Sequence, residues 1–276
     1  MTVTPRVVVL VSGSGSNLQA LMNADLEMQI VLVVSNRKAA FALERAAAAG
    51  IPTLYAPLKP YTDAGRSRAE YDADLAQKIN LLEPGLIVLA GWMHVFSSTF
   101  LEGVRVPVIN LHPALPGQFA GAHAIEEAYS AWLEGKITES GCMVHHVIPE
   151  LDAGEAIATR VVPFIAGDTL EIFANRLHAA EHELIVTATR KILKRLAHQY
   201  SLNRAQEMCH QGASSELILR FLRWEGFNRL TSIQVMKRLK NLSVAEAKKL
   251  VCLSETWSDE YTALENAIKE AQSESA

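Results

Sequence analysis

The sequence predicts an α/β fold in which a doubly wound, mostly parallel sheet is followed by a small helical C-terminal extension. Three observations carry this prediction: apolar β-branched runs recur along the chain, helical patterns separate them, and the β-rich runs stop before about residue 200. Runs that are apolar throughout are typical of strands covered on both faces, as in a parallel sheet between helical layers. Strands that alternate with helices form βαβ units, and this rhythm indicates the doubly wound class.

The elements follow in chain order. The predicted strands are RVVVLV at 6–11, IVLVVS at 30–35, GLIVLA at 85–90 and VPVIN at 106–110, and helical patterns in SNLQALMNAD, AFALERAAAAG and RAEYDADLAQKINLL separate the first three. Next, GCMVHHVI and GEAIATRVVPFI predict a hairpin joined through PELDAG, and a long helix is expected from about Thr169 to His198. Beyond this helix the tail predicts several short helices broken at Gly212 and Gly226. We therefore expect a domain at 1–200 and a helical extension at 201–276.

Composition limits the class of protein. The 276 residues are 49% hydrophobic and 20% charged, which is enough apolar material for a substantial core. A net charge of −4 gives no global attraction to nucleic acid or to acidic membranes. The three cysteines, Cys142, Cys209 and Cys252, are odd in number and lack a metal-ligand spacing, which favours a reducing compartment. We expect a soluble, cytoplasmic protein that binds no nucleic acid and no metal ion.

A glycine-rich turn follows the first predicted strand. In VVVLVSGSGSNLQAL the strand ends at a Gly and Ser-rich turn, and a helix begins near Asn17. Free N–H groups of such a turn and of the helix start can converge on an anion such as phosphate. The segment lacks the lysine of a Walker loop, and Leu18 stands where the dinucleotide fingerprint needs its third glycine. A tight turn without a ligand is the alternative interpretation.

Polar side chains stand at the end of a later strand. Asn110 and His112 are separated by Leu111, so alternation along a strand turns both toward one crevice. An amide and an imidazolium side by side can hold the oxyanion of a tetrahedral intermediate, and Asp152 in PELDAG could keep the imidazole charged. No nucleophile motif is visible, so acyl transfer would run directly between two bound substrates. The alternatives are a strand-end polar pair and, for Asp152, an Asx turn.

These segments resemble the glycinamide ribonucleotide formyltransferases of purine synthesis, in order and spacing, over roughly residues 5–195. The matched segments are SGSGSN, SNR at 35–37, LAGWM at 89–93, NLHPALPG at 110–117 and HHVIPELDAGEAI at 145–157. The resemblance makes residues 1–200 a catalytic domain with that family's Rossmann-like fold. It implies direct transfer of a formyl group from 10-formyltetrahydrofolate, a cosubstrate, to the amine of glycinamide ribonucleotide.

The resemblance also assigns site residues. It implies Asn110, His112 and Asp152 as the catalytic residues, and Gly15, Ser16, Asn17 and Glu181 as contacts of the nucleotide. The folate contacts that it implies are Arg68, Leu89, Met93, His94, Phe96 and Val147.

The chain departs from the family pattern in two places. His94 stands where many members have Arg, and PALPG shifts a proline to Pro116, next to a segment, Gln118 to Gly121, that we expect to be a mobile loop. The remaining histidines are interpreted as structural or weakly site-lining, with His145 open between a supporting role and an ordinary one. Two other functions stay open: a non-catalytic binding or regulatory module with this fold, and a related formyltransferase acting on another amine.

The tail lies outside this resemblance. Its segment LSVAEAKKLV gives a weak resemblance to the helical hairpin in the C-terminal domain of the bacterial ribosomal stalk protein. Trp224, Phe227 and Trp257 are expected to pack the helices against one another or against a partner subunit. The extension is thus a candidate surface for a homo-oligomer or a protein partner.

Overall fold

The computed structural model describes residues 4–259, so residues 260–276 of the predicted extension lie outside the described part of the chain. The chain forms two compact units, Met1–Lys194 and Arg195–Ala276. This division falls inside a helix, whereas the sequence places the domain boundary at 200. That boundary, as a division between functions, stays a prediction.

The first unit is built on a seven-stranded sheet of order β3-β2-β1-β4-β5-β6-β7. Strands β1 to β5 are parallel, and β6 and β7 add an antiparallel edge. The strands are Arg6–Val11, Gln29–Ser35, Thr53–Tyr55, Leu86–Leu89, Val108–His112, Glu139–His146 and Ala156–Pro163. The predicted fold class is confirmed, because the central strands are apolar on both faces and are buried there, as in a parallel sheet between helices.

Ten α-helices accompany the sheet in the described part of the chain. They are α1 Ser16–Asn23, α2 Phe41–Ala48, α3 Lys59–Asp63, α4 Arg68–Asn80, α5 Ser98–Gly103, α6 Ala124–Leu133, α7 Leu170–His210, α8 Ser215–Trp224, α9 Arg229–Leu239 and α10 Val244–Cys252. A 3₁₀ turn follows at Glu255–Trp257. Within residues 4–259, no helix combines the length and the apolar character that crossing a membrane requires.

The structure differs from the sequence-based expectation at three elements. The long helix continues through His210 rather than ending near His198, because no proline or glycine interrupts it before Gly212. Strand β5 spans Val108–His112, so it begins and ends two residues later than the apolar run predicted at 106–110. The short edge strand β3 was not expected, since its three residues are too few to show a period.

The helices of the second unit enclose a separate core. Its fully buried members include Ile218, Leu222 and Met236, and Phe227 and Trp257 also pack there, as the sequence predicts. Trp224 does not pack inside this core, because it is 65% exposed, and the expectation gave packing against a partner subunit as its alternative. It lies at the C-terminal end of α8, where the buried residues are Ile218, Leu219 and Leu222. Packing of Trp224 against a partner stays a prediction.

Candidate active site

The carboxyl ends of three neighbouring strands form one edge of the sheet. Leu10 of β1 pairs with Leu89 of β4, and Leu89 pairs with Asn110 of β5. The chain after β1, the chain after β4 and the end of β5 therefore open onto the same crevice, where open α/β sheets bind ligands. A cavity of about 510 Å³ occupies this crevice.

Asn110 and His112 both line this cavity, as alternation along β5 predicts. His112 is 3% exposed, and its Nε2 lies 3.0 Å from the carbonyl oxygen of Phe119. Because a carbonyl only accepts, Nε2 of His112 carries a proton and donates it. The end of β5 thus supplies an N–H group that already donates a hydrogen bond to a carbonyl oxygen.

Asp152 reaches the same point from the β6–β7 hairpin. Its Oδ2 lies 3.4 Å from His112 Nδ1 and accepts a 2.9 Å hydrogen bond from the Gly121 N–H. Its Oδ1 accepts from Asn110 Nδ2 at 3.3 Å. Asp152 adopts φ +50°, a left-handed conformation that the hairpin loop imposes on a non-glycine residue. The three predicted catalytic residues are therefore brought together.

The charge of Asp152 is set by competing effects. Burial by itself raises the pKa of this carboxyl group, but hydrogen bonds from His145 and the Gly121 N–H, together with the charge of His112, hold that pKa below its ordinary value. Asp152 is therefore ionised at neutral pH. The ionised carboxylate only accepts, so a proton on His112 Nδ1 has Asp152 Oδ2 as its acceptor while Nε2 donates to the carbonyl oxygen of Phe119.

His145 supports this group from the neighbouring strand. It pairs with Asn110 across β5 and β6, and its Nε2 lies 3.2 Å from Asn110 Nδ2 and 3.5 Å from Asp152 Oδ1. Its Nδ1 donates to the carbonyl oxygen of His146. Nε2 can then accept from Asn110 in the neutral ring or donate to Asp152 in the charged ring. His145 is 2% exposed and does not line the main cavity.

The glycine-rich turn forms another wall of the cavity. Gly15, Ser16 and Asn17 line it, and Gly15 precedes α1 with φ +74°. A Cβ atom at Gly15 would lie 2.6 Å from the Cβ of Ala42, so both the conformation and the space require glycine. No side chain caps α1, which leaves the first N–H groups of the helix available to an anion.

Helix α7 completes the wall with Glu181 and His178. The buried Glu181 carboxylate accepts a 2.8 Å hydrogen bond from His178 Nδ1, and this contact raises the pKa of His178. The sequence predicts His178 to be structural or weakly site-lining, and the structure places it on the wall of the cavity. His178 lies three residues before Glu181 and therefore on the same face of a helix, and this spacing in the sequence indicates that the two side chains can meet.

The predicted folate contacts divide between two cavities. Met93 and His94 line the main cavity, while Leu89, Phe96 and Val147 line a smaller one of about 60 Å³ that also contacts His94. Trp92, which the sequence analysis did not single out as a contact, lines both cavities.

Arg68 lines neither cavity. Its guanidinium donates to the buried Asp72 carboxylate at 2.8 Å and to the carbonyl oxygen of Val95. These contacts keep Arg68 at α4, and its role in binding folate stays a prediction.

No cysteine of the described chain lines the cavity, so none is placed there for covalent acyl transfer. Cys142 lies in β6, is fully buried, and burial raises the pKa of its thiol to about 12. Residues 4–259 contain no group of three or more His, Cys, Asp or Glu side chains that could hold a metal ion. The side chains of Asn110, His112 and Asp152 suit acid–base and oxyanion chemistry, because they combine hydrogen-bond donors with a carboxylate.

Comparison with known proteins identifies the family. Residues 5–189 match the family described as formyl transferase. The chain is 48% identical over 201 residues to the phosphoribosylglycinamide formyltransferase of Schizosaccharomyces pombe, which covers 68% of this chain and 96% of that protein. The protein of the same name from Saccharomyces cerevisiae is 44% identical over 210 residues, covering 69% of this chain and 98% of its own.

Solved structures agree with these relatives. The phosphoribosylglycinamide formyltransferase of Streptococcus pneumoniae superposes with a TM-score of 0.62 at 32% identity, covering 68% of this chain and 98% of that one. The enzyme of the same name from Campylobacter jejuni gives a TM-score of 0.62 at 35% identity, covering 70% and 99%. The chain described here belongs to the formyl transferase family.

Proposed function

We propose that this protein is a phosphoribosylglycinamide formyltransferase, which transfers the formyl group of 10-formyltetrahydrofolate to the amine of glycinamide ribonucleotide in purine biosynthesis. The observation that carries the proposal is the contact of Asn110, His112 and Asp152 at the carboxyl edge of the sheet, in one cavity with an uncapped helix start. The names of relatives at 43–48% identity support the substrates. The proposed reaction takes place in the cytoplasm.

The proposed reaction is a direct attack. The amine nitrogen of the nucleotide attacks the formyl carbon, and the carbonyl oxygen becomes an oxyanion that Asn110 Nδ2 and His112 Nε2 stabilise. The tetrahedral intermediate collapses as the bond from the formyl carbon to N10 of the folate breaks. The nitrogen of the amine loses one proton and N10 gains one, so the products are the formylated nucleotide and tetrahydrofolate.

The buried carboxylate supplies the electrostatic part of this mechanism. Ionised Asp152 holds His112 as an imidazolium, and a charged donor stabilises a developing oxyanion more strongly than a neutral one. Asp152 is also placed to take up the proton of the attacking amine, directly or through a water molecule. The carbonyl oxygen of Phe119 now accepts from His112 Nε2, and the formyl oxygen would replace it.

Binding of the nucleotide is assigned to the other end of the cavity. Its phosphate lies on the N–H groups of the turn at Gly15, Ser16 and Asn17, and Glu181 also contacts the nucleotide. The folate ring lies along the segment after β4, and it contacts Met93 and His94 there. Leu89, Phe96 and Val147 line the adjoining smaller cavity and extend this apolar surface.

The test is to offer purified protein both substrates and to follow release of tetrahydrofolate. Release should depend on glycinamide ribonucleotide and should not occur with the folate alone. Replacing the nucleotide by other primary amines tests the alternative that a related amine is the acceptor. Absence of turnover at high enzyme concentration would contradict the proposed function.

A further inference from the structure

A chain of hydrogen bonds joins three segments that follow strands of the sheet. Ser12 Oγ accepts from the Met93 N–H at 3.0 Å and donates to Asn36 Oδ1 at 2.7 Å. Asn36 Nδ2 lies 2.8 Å from His94 Nε2. The chain of bonds therefore runs from the backbone after β4, through the ends of β1 and β2, to the imidazole of His94.

The direction of these bonds determines where His94 carries its proton. A serine hydroxyl has one hydrogen, and with that hydrogen on Asn36 Oδ1 the amide nitrogen must face His94. An amide nitrogen only donates, so His94 Nε2 accepts with its lone pair. The proton of the neutral ring is then on Nδ1.

Surrounding groups keep this ring neutral. Burial lowers the pKa of His94 below its ordinary value, the cations Arg68 and Arg37 act in the same direction, and Asp72 opposes them. The titratable groups on the walls of the two cavities that His94 contacts are His112, His145, Glu150, Asp152, His178 and Glu181. Because Nε2 is held by an uncharged amide, no carboxylate contacts that nitrogen to favour protonation.

The Nδ1–H of His94 is an unsatisfied donor. This nitrogen is buried and has no hydrogen-bond partner among residues 4–259, and the same is true of Trp92 Nε1. Native proteins rarely leave a buried N–H unpaired, because each such group destabilises the folded state. Since His94 lines both cavities, a bound molecule is the natural source of the acceptor.

The surroundings of His94 favour a flat, uncharged ligand. Its ring meets the Trp92 ring edge to face at 5.6 Å, and Trp92 stacks on Phe96 at 5.6 Å. An arginine, which the family resemblance leads one to expect here, would bring a permanent charge and a fork of donors suited to a carboxylate. A neutral imidazole offers a single N–H beside aromatic rings.

We propose that His94 donates from Nδ1 to an uncharged acceptor, a carbonyl oxygen or a ring nitrogen, on the heteroaromatic ring of the folate, and that Asn36 is the positioning residue that fixes this tautomer. This inference rests on the proposed function and adds a specificity-determining contact to it. The contact forms and breaks with ligand binding and involves no covalent step.

The deciding variant is Asn36→Asp. A carboxylate keeps the bond from Ser12 but only accepts, so His94 must protonate Nε2. In that variant the neutral ring has no proton on Nδ1, and only the imidazolium retains the donor. The KM ratio is the KM of the variant for 10-formyltetrahydrofolate divided by that of the unchanged protein. It should rise about five- to tenfold as pH increases from about 6 to 8.5, because His94 loses its charge over this range.

His94→Leu and Asn23→Asp are the companion variants. The leucine variant should raise the same KM about five- to tenfold at every pH in that range, with a smaller change in kcat, since the donor is lost in all protonation states. Asn23 is exposed at the end of α1, where an aspartate still accepts from Gln19 Nε2, so its KM ratio should stay near one. A KM ratio for Asn36→Asp that does not change with pH would overturn the inference.

A readout without turnover separates this inference from the proposed function. The ¹⁵N chemical shifts of His94 in labelled protein distinguish a protonated Nδ1 from a protonated Nε2. We expect Nδ1–H in the unchanged protein and a protonated Nε2 in Asn36→Asp. A protonated Nε2 in the unchanged protein would refute the tautomer, even with normal turnover, whereas absence of turnover with the expected shifts would reject only the proposed function.

Discussion

At the residue scale, the contact between Asp152 and two buried imidazoles decides what the site can do. A carboxylate that is 8% exposed at its side chain and remains ionised needs partners, and here it has His112, His145, Asn110 and the Gly121 N–H. Of the two imidazoles, the one that lines the main cavity is His112. The Asp152 carboxylate thus lies at Nδ1 of the His112 ring, and Nε2 of the same ring is the donor proposed for the oxyanion.

Replacing His112 by alanine should lower kcat by at least about 100-fold, because both the oxyanion donor and the charge beside Asp152 are lost. The measurement is steady-state release of tetrahydrofolate. His123→Ala is the matched control, since His123 is exposed, precedes α6 and lines neither cavity described above. Near-normal turnover in His112→Ala would remove this residue from the mechanism.

The ion pair of Glu181 and His178 makes a second residue-scale prediction. Glu181 raises the pKa of His178 above its ordinary value of 6.5, so the stabilisation from this pair is complete below pH 6.5 and is lost as pH rises through the raised pKa. Glu181→Gln should lower the His178 pKa. An NMR titration of the His178 ring protons measures it, with His210 in α7 as an internal reference. An unchanged His178 titration would show that the pair does not form.

The sequence predicts those side chains whose directions follow from local periodicity. Asn110 and His112 share a face because a strand alternates, which needs no knowledge of the fold. The place of His145 depends on the register between β5 and β6, and that of Trp92 on the path of the chain after β4. Neither is a property of local sequence, so a supporting role for His145 stayed one of two alternatives and Trp92 was not singled out.

At the element scale, the β6–β7 hairpin carries Asp152 into the site. The hairpin was predicted from two apolar runs joined by PELDAG, and the antiparallel pairing of β6 with β7 confirms it. Helix α7 was predicted too short, because the sequence after His198 remains helix-forming and its change of character does not coincide with a helix end. A change in composition along the chain indicates a change in the surroundings of the residues. The end of a helix depends instead on capping residues and on helix-breaking residues such as glycine and proline.

Gly154→Ala tests how far this hairpin positions the carboxylate. A Cβ atom at Gly154 would lie 1.7 Å from the backbone oxygen of His146, so the loop that holds Asp152 must shift. We expect a loss of about 1–3 kcal/mol in the free energy of unfolding. We also expect at least about a tenfold fall in kcat, since misplacing a catalytic group is costly.

Thermal unfolding and turnover of Gly154→Ala should be measured beside those of Gly85→Ala, which is the control. A Cβ at Gly85 meets only the Arg6 backbone oxygen at 3.9 Å, which is an ordinary contact. Its stability and kcat should stay close to those of the unchanged protein. Equal behaviour of Gly154→Ala and Gly85→Ala would mean that the hairpin loop tolerates displacement and does not control Asp152.

At the scale of the whole molecule, the chain contains one unit that corresponds to the formyl transferase family and a further helical unit. The family match covers residues 5–189, and the second compact unit begins at Arg195. The S. pombe relative is matched over 96% of its length by 68% of this chain. The proposed chemistry therefore has its residues in the first unit, and these residues all lie within the domain at 1–200 that the sequence predicts.

This division predicts that destabilising the core of the second unit leaves formyl transfer nearly unchanged. Met236 is fully buried in that core, and Met236→Ala should cost about 2–5 kcal/mol there, through lost burial and the cavity that remains. Hydrogen exchange should then show faster exchange of amides in 195–259, while kcat/KM stays within about twofold of its value in the unchanged protein. Leu230→Ala is the control, because Leu230 is 65% exposed in α9 and its loss should change neither quantity. If turnover fell in step with the loss of amide protection in Met236→Ala but not in Leu230→Ala, formyl transfer would depend on the helical unit.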